Sequence, residues 1–176
     1  MVYYLVTYWL NLFKVYDEYL YRIEMFLEND IKLDFKDVLI KPKRSNLNSR
    51  SDVNLEREFT FKHSSFKWKG VPIMVSNMDC TGTFEMAAAV QKHKMFTCIH
   101  KYYSVEDWLS FKTALQLSDS LDVLNYVAVS SGSKEEDYEK LQSILKEIPE
   151  INFICLDVAN GYTEHFVSFV MRVRLA

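Results

Sequence analysis

Glycine is scarce in this chain, at 4 residues in 176, against a usual share of about 7%. That leaves little material for glycine-rich phosphate loops, so any anion site has to be built from single turns. Cysteine is also sparse. Cys80, Cys98 and Cys155 are odd in number and widely spaced, with no Cys-x-x-Cys pair, which excludes a disulfide framework and a zinc knuckle and implies a reducing compartment. Neither sign of charge prevails. With 21 Lys+Arg against 24 Asp+Glu the net charge is −3, which rules out the whole-surface cationic field that drives nonspecific nucleic-acid binding. His63, His93 and His165 have no spacing that makes a metal site. The most apolar stretch, before Lys14, runs for about a dozen residues, is broken by Asn11, and falls short of the roughly 20 that span a bilayer.

What is present is a globular composition, 49% hydrophobic and 15% aromatic, in a chain of about one domain. Residues 1–30 stand apart. They crowd Tyr3, Tyr4, Leu5, Tyr8 and Trp9 together and then space Tyr16, Tyr19, Leu20, Ile23 and Leu27 as an amphipathic helix does. This extension has no basic n-region and no small-residue cleavage site, so a secretory signal is not expected and the location expected is cytoplasmic.

From residue 31 the punctuation becomes regular. Residues 31–40 alternate apolar and charged side chains as short extended pieces do, and Pro42 ends them. Val53, Leu55, Phe59 and Phe61, followed by a His63-Ser64-Ser65 turn, suggest a hairpin or lead-in strands. Four apolar runs follow, at 71–75, 95–99, 126–129 and 153–156, each short and apolar on both faces as buried parallel strands are. Helical segments separate them, at 83–93, 104–116, 133–147 and 163–175, two of them opening on the cap signals of Thr83 and of Ser104 with Asp107. Strand and helix repeated four times predict βαβ units. The fold class expected is α/β, either an open doubly wound sheet or part of a (β/α)8 barrel.

In such folds chemistry gathers where the strands' carboxyl ends meet the next loops. Those positions hold Ser76-Asn77-Met78-Asp79, His100-Lys101, Ser130-Ser131-Gly132-Ser133 and Asp157-Val158-Ala159-Asn160-Gly161. A lysine facing an aspartate on one rim can orient a polar substrate, shuttle protons or hold a departing amine. Lys101 has a second reading as a solvated loop residue and Asp157 as a turn former, while His100 reads better as a packed structural histidine. Cys98 and Cys155 sit inside apolar runs and read as small core residues. Lys41, Lys43, Arg44 and Arg50, with Ser45 and Ser49, make either a solvated turn or a phosphate contact.

The segments LDFKDVLIKPKRS (33–45), Ser49-Arg50, VPIMVSNMD (71–79), GTFEMAA (82–88), IHKYYS (99–104), VAVSSGS (127–133) and FICLDVANGYTEHFV (153–167) resemble, in order, the amino-terminal half of the GMP reductase family. The sister family, IMP dehydrogenase, shares the pattern around Asp37-Val38-Leu39, Met78-Asp79 and His100-Lys101, but carries an inserted CBS-domain pair that has no counterpart here. The resemblance implies a partial (β/α)8 barrel of about four βα units, spanning residues 31–176 behind the extra amino-terminal helix of residues 1–30. It implies an NADPH-dependent oxidoreductase that reductively deaminates GMP to IMP with release of ammonia, in purine interconversion and salvage, usually as a homotetramer. Nucleic acid is not an expected partner.

Carried over residue by residue, the resemblance assigns Ser49, Arg50, Lys101, Asp157, Val158 and Ala159 to NADPH, Lys101 and Asp157 also to the chemistry, and Ser76 and Met78 to the nucleotide. The family's nucleophilic cysteine forms a thioimidate with the purine from a Gly-Ser-x-Cys-x-Thr loop after the fourth helix. None of the three cysteines here sits in such a motif, and the loop for the family's monovalent cation (potassium) is likewise not found. The 176-residue chain is therefore expected to be inactive alone. Two other readings stand beside this one: a noncatalytic half-barrel that binds full-length subunits or another partner, and an IMP dehydrogenase-like oxidoreductase.

Overall fold

The computed structural model describes residues 30–175. The amphipathic helix expected in the amino-terminal extension lies outside the described residues. The chain divides into two units, Met1–Asn54 and Leu55–Ala176.

In the first unit the alternation at 31–40 does not produce strands. A 3-10 turn forms at Phe35–Asp37. The Asp34 carboxylate accepts from the Phe35 N–H at 2.7 Å and the Asp37 carboxylate from the Asp34 N–H at 2.9 Å. Aspartates that bond their own backbone compete with strand pairing, and here the local bonds win. A second such turn, Arg50–Asp52, is capped by Ser49.

The second unit opens with an antiparallel hairpin, β1 (Arg57–Thr60) and β2 (Lys67–Gly70), with Phe59 opposite Trp68. Its connection includes Ser65 in a left-handed conformation, φ 54°. The second strand, Lys-Trp-Lys-Gly, carries no apolar run and is not foreseeable from one. Then follow β3 (Met74–Val75), α1 (Phe84–Gln91), β4 (Phe96–Ile99), α2 (Val105–Leu117), β5 (Val127–Ser131), α3 (Glu135–Glu147), β6 (Ile154–Leu156) and α4 (Glu164–Leu175). The four later strands pair in parallel in the order β3-β4-β5-β6. That order decides between the two architectures. A doubly wound sheet reverses direction beside its first strand, whereas unbroken sequential order is that of consecutive βα units of a (β/α)8 barrel.

Among the boundaries that differ from the sequence reading, three have consequences for the site. The 71–75 run yields only two strand residues, because Pro72 has no N–H to give a ladder and Ile73 N–H turns back to the Val71 carbonyl at 2.7 Å. Ser130 and Ser131 are not loop residues; they end β5 and are buried. The third helix starts at Glu135 rather than Ser133, where the Asp137 carboxylate accepts from the Lys134 N–H at 3.2 Å.

The sheet buries its two faces differently. Toward the helices, Ile99, Val127 and Val129 pack with Trp108, Leu115, Leu141 and Ile144. Toward the barrel interior lie Phe96, Cys98 and Ala128, with Trp68, Tyr126, Phe153 and Cys155 against them. The hairpin closes the amino-terminal ends of the strands. Trp68 meets Phe96 and Tyr126 edge-on, each at 5.8 Å between ring centres. Its indole N–H donates to the Asn125 carbonyl at 3.2 Å, and Tyr126 Oη to the Lys69 carbonyl at 3.1 Å. With that end plugged, the strands' carboxyl ends form the open rim.

Candidate functional site

Each of the four strands delivers a polar loop to that rim, and the loops are braced locally. After β3 the chain turns so tightly that the Gly82 N–H donates to the Met78 carbonyl at 2.7 Å, while the Gly82 carbonyl accepts from the His100 N–H at 2.8 Å. A Cβ at Gly82 would stand 2.3 Å from the Cys98 carbonyl and 2.8 Å from that of Ser76. Only glycine fits there. Thr81 Oγ1 donates to the Ser76 carbonyl at 3.2 Å and lies 3.3 Å from Ser76 Oγ. The result aims Asn77 along the rim, where its Nδ2 donates to Asp157 Oδ2 at 3.0 Å.

The loop after β4 is braced by a ring stack. His100 lies on Tyr103 at 4.2 Å, Tyr103 on Phe84 at 3.9 Å, and Phe84 on Phe111 at 4.2 Å. His100 Nδ1 accepts from the Tyr102 N–H at 3.2 Å, and the Lys101 carbonyl accepts from Lys140 Nζ. Histidine here is structural, and Lys101 is the group the loop presents.

Between the ends of β4, β5 and β6 lies an open cleft of about 370 Å³. Lys101, Ser133 and Lys134 line it with Asp157, Val158 and Ala159, while Gly132 and Asp137 complete the wall. A Cβ at Gly132 would meet the Asp137 carboxylate at 2.4 Å, so a larger residue there would have to turn that side chain aside. Two lysines, two aspartates and the small apolar Val158 and Ala159 thus share the lining of one cleft. Such an arrangement suits a ligand that is anionic in one part and flat or apolar in another.

Of the residues singled out from the sequence, Lys101, Asp157, Val158 and Ala159 line this one cleft. Ser76 is engaged with Thr81 behind it, and Met78 is exposed on the same loop. Ser49 and Arg50 belong to the first unit, where Ser49 Oγ accepts from the Ser51 N–H at 3.2 Å and the Arg50 carbonyl from the Val53 N–H. The sequence reading gave no role to Asn77, Lys134 or Asp137. The strand-end rule had already put Asn77 on the rim; what it lacked was the reach of the loop across the sheet. Among the described residues no group of three or more His, Cys, Asp or Glu is placed to hold a metal ion, and no helix is long and apolar enough to cross a membrane.

Comparison with known proteins adds the following. Residues 32–176 match the family model described as the IMP dehydrogenase / GMP reductase domain. The chain is 56% identical over 152 residues to a GMP reductase of Klebsiella pneumoniae, covering 86% of this chain and 43% of that protein. It is 57% identical over 148 residues to GMP reductase 1 of Homo sapiens, covering 84% and 41%. The chain thus spans less than half the length of these relatives. Among solved structures, inosine 5′-monophosphate dehydrogenase from Legionella pneumophila superposes with a TM-score of 0.60 at 19% identity, over 80% of this chain and 40% of that one. At that identity the likeness speaks for the fold alone.

Proposed function

Since the chain belongs to the IMP dehydrogenase / GMP reductase family, we propose that it is the coenzyme-holding half of a GMP reductase, serving the conversion of GMP, NADPH and two protons to IMP, NADP⁺ and ammonium. The observation that carries this reading is the convergence of Lys101, Asp157, Val158 and Ala159 on one cleft at the strands' carboxyl ends. The donor set fits the group. Ammoniums of Lys101 and Lys134 and the Ser133 hydroxyl answer the phosphates and amide of a dinucleotide, and Val158 with Ala159 gives a flat ring an apolar floor. NADPH, when bound, supplies the hydride.

The chain's own residues do the rest. Asn77 fixes one oxygen of Asp157, leaving the carboxylate's remaining lone pairs turned to the cleft. Lys101 gives a proton to the departing amine and Asp157 holds the ammonium that results. Arg50 and Ser49 add contacts to the coenzyme, and Ser76 and Met78 to the nucleotide. The covalent step belongs to a thiolate in a Gly-Ser-x-Cys-x-Thr loop that these 176 residues do not contain, so the chain alone binds without turning over. Assembly as a homotetramer completes the reading. The reductase is favoured over an IMP dehydrogenase because the high identity is to proteins named GMP reductase.

The test is a fluorescence titration of the purified chain with NADPH. Weak saturable binding, lost in Lys101→Ala and unaffected in Lys62→Ala, supports the proposal. Equal binding by all three proteins, or none by any, overturns it.

A further inference from the structure

The loop that presents Lys101 is tied to the neighbouring wall of the cleft by a side chain that the coenzyme reading leaves unused. Lys140, half-buried on α3, donates from Nζ to the Lys101 carbonyl across 39 positions of chain. Among the described residues that ammonium forms no ion pair with a carboxylate; its partner is a main-chain oxygen. Ordering a lysine head group without a counter-ion gives up rotamer freedom and hydration, a cost that a loop in need of mere support does not have to bear.

What the bond adds is visible in the peptide unit it holds. The Lys101 carbonyl and the Tyr102 N–H belong to one planar trans peptide and point to its opposite edges. The N–H donates to His100 Nδ1 at 3.2 Å, inside the loop, and the carbonyl accepts from Lys140 on α3. A plane held at one edge rocks; a plane held at both does not. The other braces act on His100, through its N–H bond to the Gly82 carbonyl at 2.8 Å and its stack on Tyr103, and stop short of Lys101. The Lys140 bond therefore fixes the backbone from which the Lys101 side chain springs. It also sets the width of the cleft. Asp137, one helical turn before Lys140 and on the same face of α3, lines the cleft with Lys134 on the β5 side, while Lys101 lines it on the β4 side.

We propose that Lys140 is a positioning residue of this cleft, whose ammonium holds the Lys101 peptide so that the Lys101 head group meets an anionic part of the coenzyme already oriented. The inference rests on the reading of the cleft as a coenzyme site. Lys140 does not line the cleft and acts through Lys101. Its bond is charge-assisted and hence stronger than one between neutral groups, and half-burial lowers the competition from water. Orienting a binding group beforehand reduces the freedom lost when the ligand arrives, so loss of Lys140 shows as weaker affinity.

The experiment compares the full chain with Lys140→Met, which keeps the apolar stem and removes the charge, and with Lys140→Arg, which restores a cationic donor. In fluorescence titrations with NADPH, Lys140→Met should bind about tenfold more weakly and Lys140→Arg within about twofold of the wild type. Lys146→Met, on the exposed side of the same helix, should bind as the wild type does. Hydrogen exchange followed by NMR without coenzyme gives the second readout. The Tyr102 amide should exchange at least about tenfold faster in Lys140→Met and return toward the wild-type rate in Lys140→Arg, while the amides of α3 stay unchanged. Unchanged exchange at Tyr102, faster exchange with undiminished NADPH affinity, or a Lys140→Arg chain that behaves like Lys140→Met overturns the proposal. Absence of NADPH binding from every form, the wild type included, is instead the failure of the coenzyme reading, and the exchange rates alone then decide whether Lys140 sets the loop.

Discussion

Asn77 donates from Nδ2 to Asp157 Oδ2 at 3.0 Å, although the two residues are 80 positions apart and follow the opposite edge strands of the four-stranded sheet. A contact of this span orders the rim as a unit. It fixes the rotation of the Asp157 carboxylate, which a strand end alone does not do, and it depends on the tight β3 loop that Thr81 and Gly82 brace.

Kinetics of a chimaera joining residues 31–176 to the remaining half of the Klebsiella relative should separate the roles. Asp157→Ala and Asn77→Ala should both lower kcat, the latter by about tenfold, with KM for NADPH little changed, because they act on a group needed as ammonia leaves. Arg50→Ala should instead raise KM for NADPH at constant kcat, as loss of a contact made equally in ground and transition states does. Unchanged kinetics in all three variants would make these residues structural only.

Gly82→Ala should cost about 1–3 kcal/mol, the usual toll of overpacking, because its Cβ collides with backbone carbonyls of Cys98 and Ser76 rather than with flexible side chains. Denaturant melts measure this. The same variant should weaken NADPH binding, since the displaced loop carries Asn77 away from Asp157; an unaltered midpoint would show that the loop shifts freely.

How far the sequence spoke is visible in particular residues. The four strands and four helices were legible because their apolar runs and caps are local signals: Thr83 Oγ1 accepts from the Met86 N–H at 3.2 Å, and Ser104 caps as its motif implies. Lys101 and Asp157 were legible as a pair because the strand-end rule depends only on topology. Strand β2 was hidden, since Lys67 and Lys69 flank a single Trp68 whose burial depends on Phe96 and Tyr126 far along the chain. The alternation at 31–40 misled because the Asp34 and Asp37 carboxylates accept from the Phe35 and Asp34 N–H groups, which a strand would need for its ladder. Asn77 and the Lys140–Lys101 contact stayed hidden for a related reason: each is a meeting of different elements, which no periodicity encodes.

Acid should loosen α2 through its cap. Asp107 accepts from the Ser104 N–H at 2.8 Å and from Ser104 Oγ at 2.9 Å, and these bonds hold its carboxyl below the ordinary carboxylate value. The folded state therefore binds this proton less readily than the unfolded state. Its contribution is complete above about pH 4, the unfolded value, and disappears as pH falls through the depressed folded value. The difference in Tm between the wild-type chain and Asp107→Asn should be constant above about pH 5 and shrink below pH 4. A difference independent of pH would mean that the cap works without its charge.

The thiol of Cys155 should be the one that senses neutral pH. The influence of the neighbouring Cys98 thiol outweighs burial and holds its ionisation below the ordinary thiol value, at about 7, whereas the Cys98 thiol is pushed up. Thiolate is the reactive form, so alkylation of Cys155 by iodoacetamide, followed by mass spectrometry of its peptide, should rise with pH to half its maximum near 7. Cys98 should remain unmodified over the same range. Cys98→Ala removes the donor and the competing sulfur at once, and the Cys155 midpoint should then move upward toward that of an ordinary thiol, about 8.5. Replacing Cys98 by serine restores a donor, and the midpoint should fall back. If the midpoint is the same in all three proteins, the two thiols do not interact.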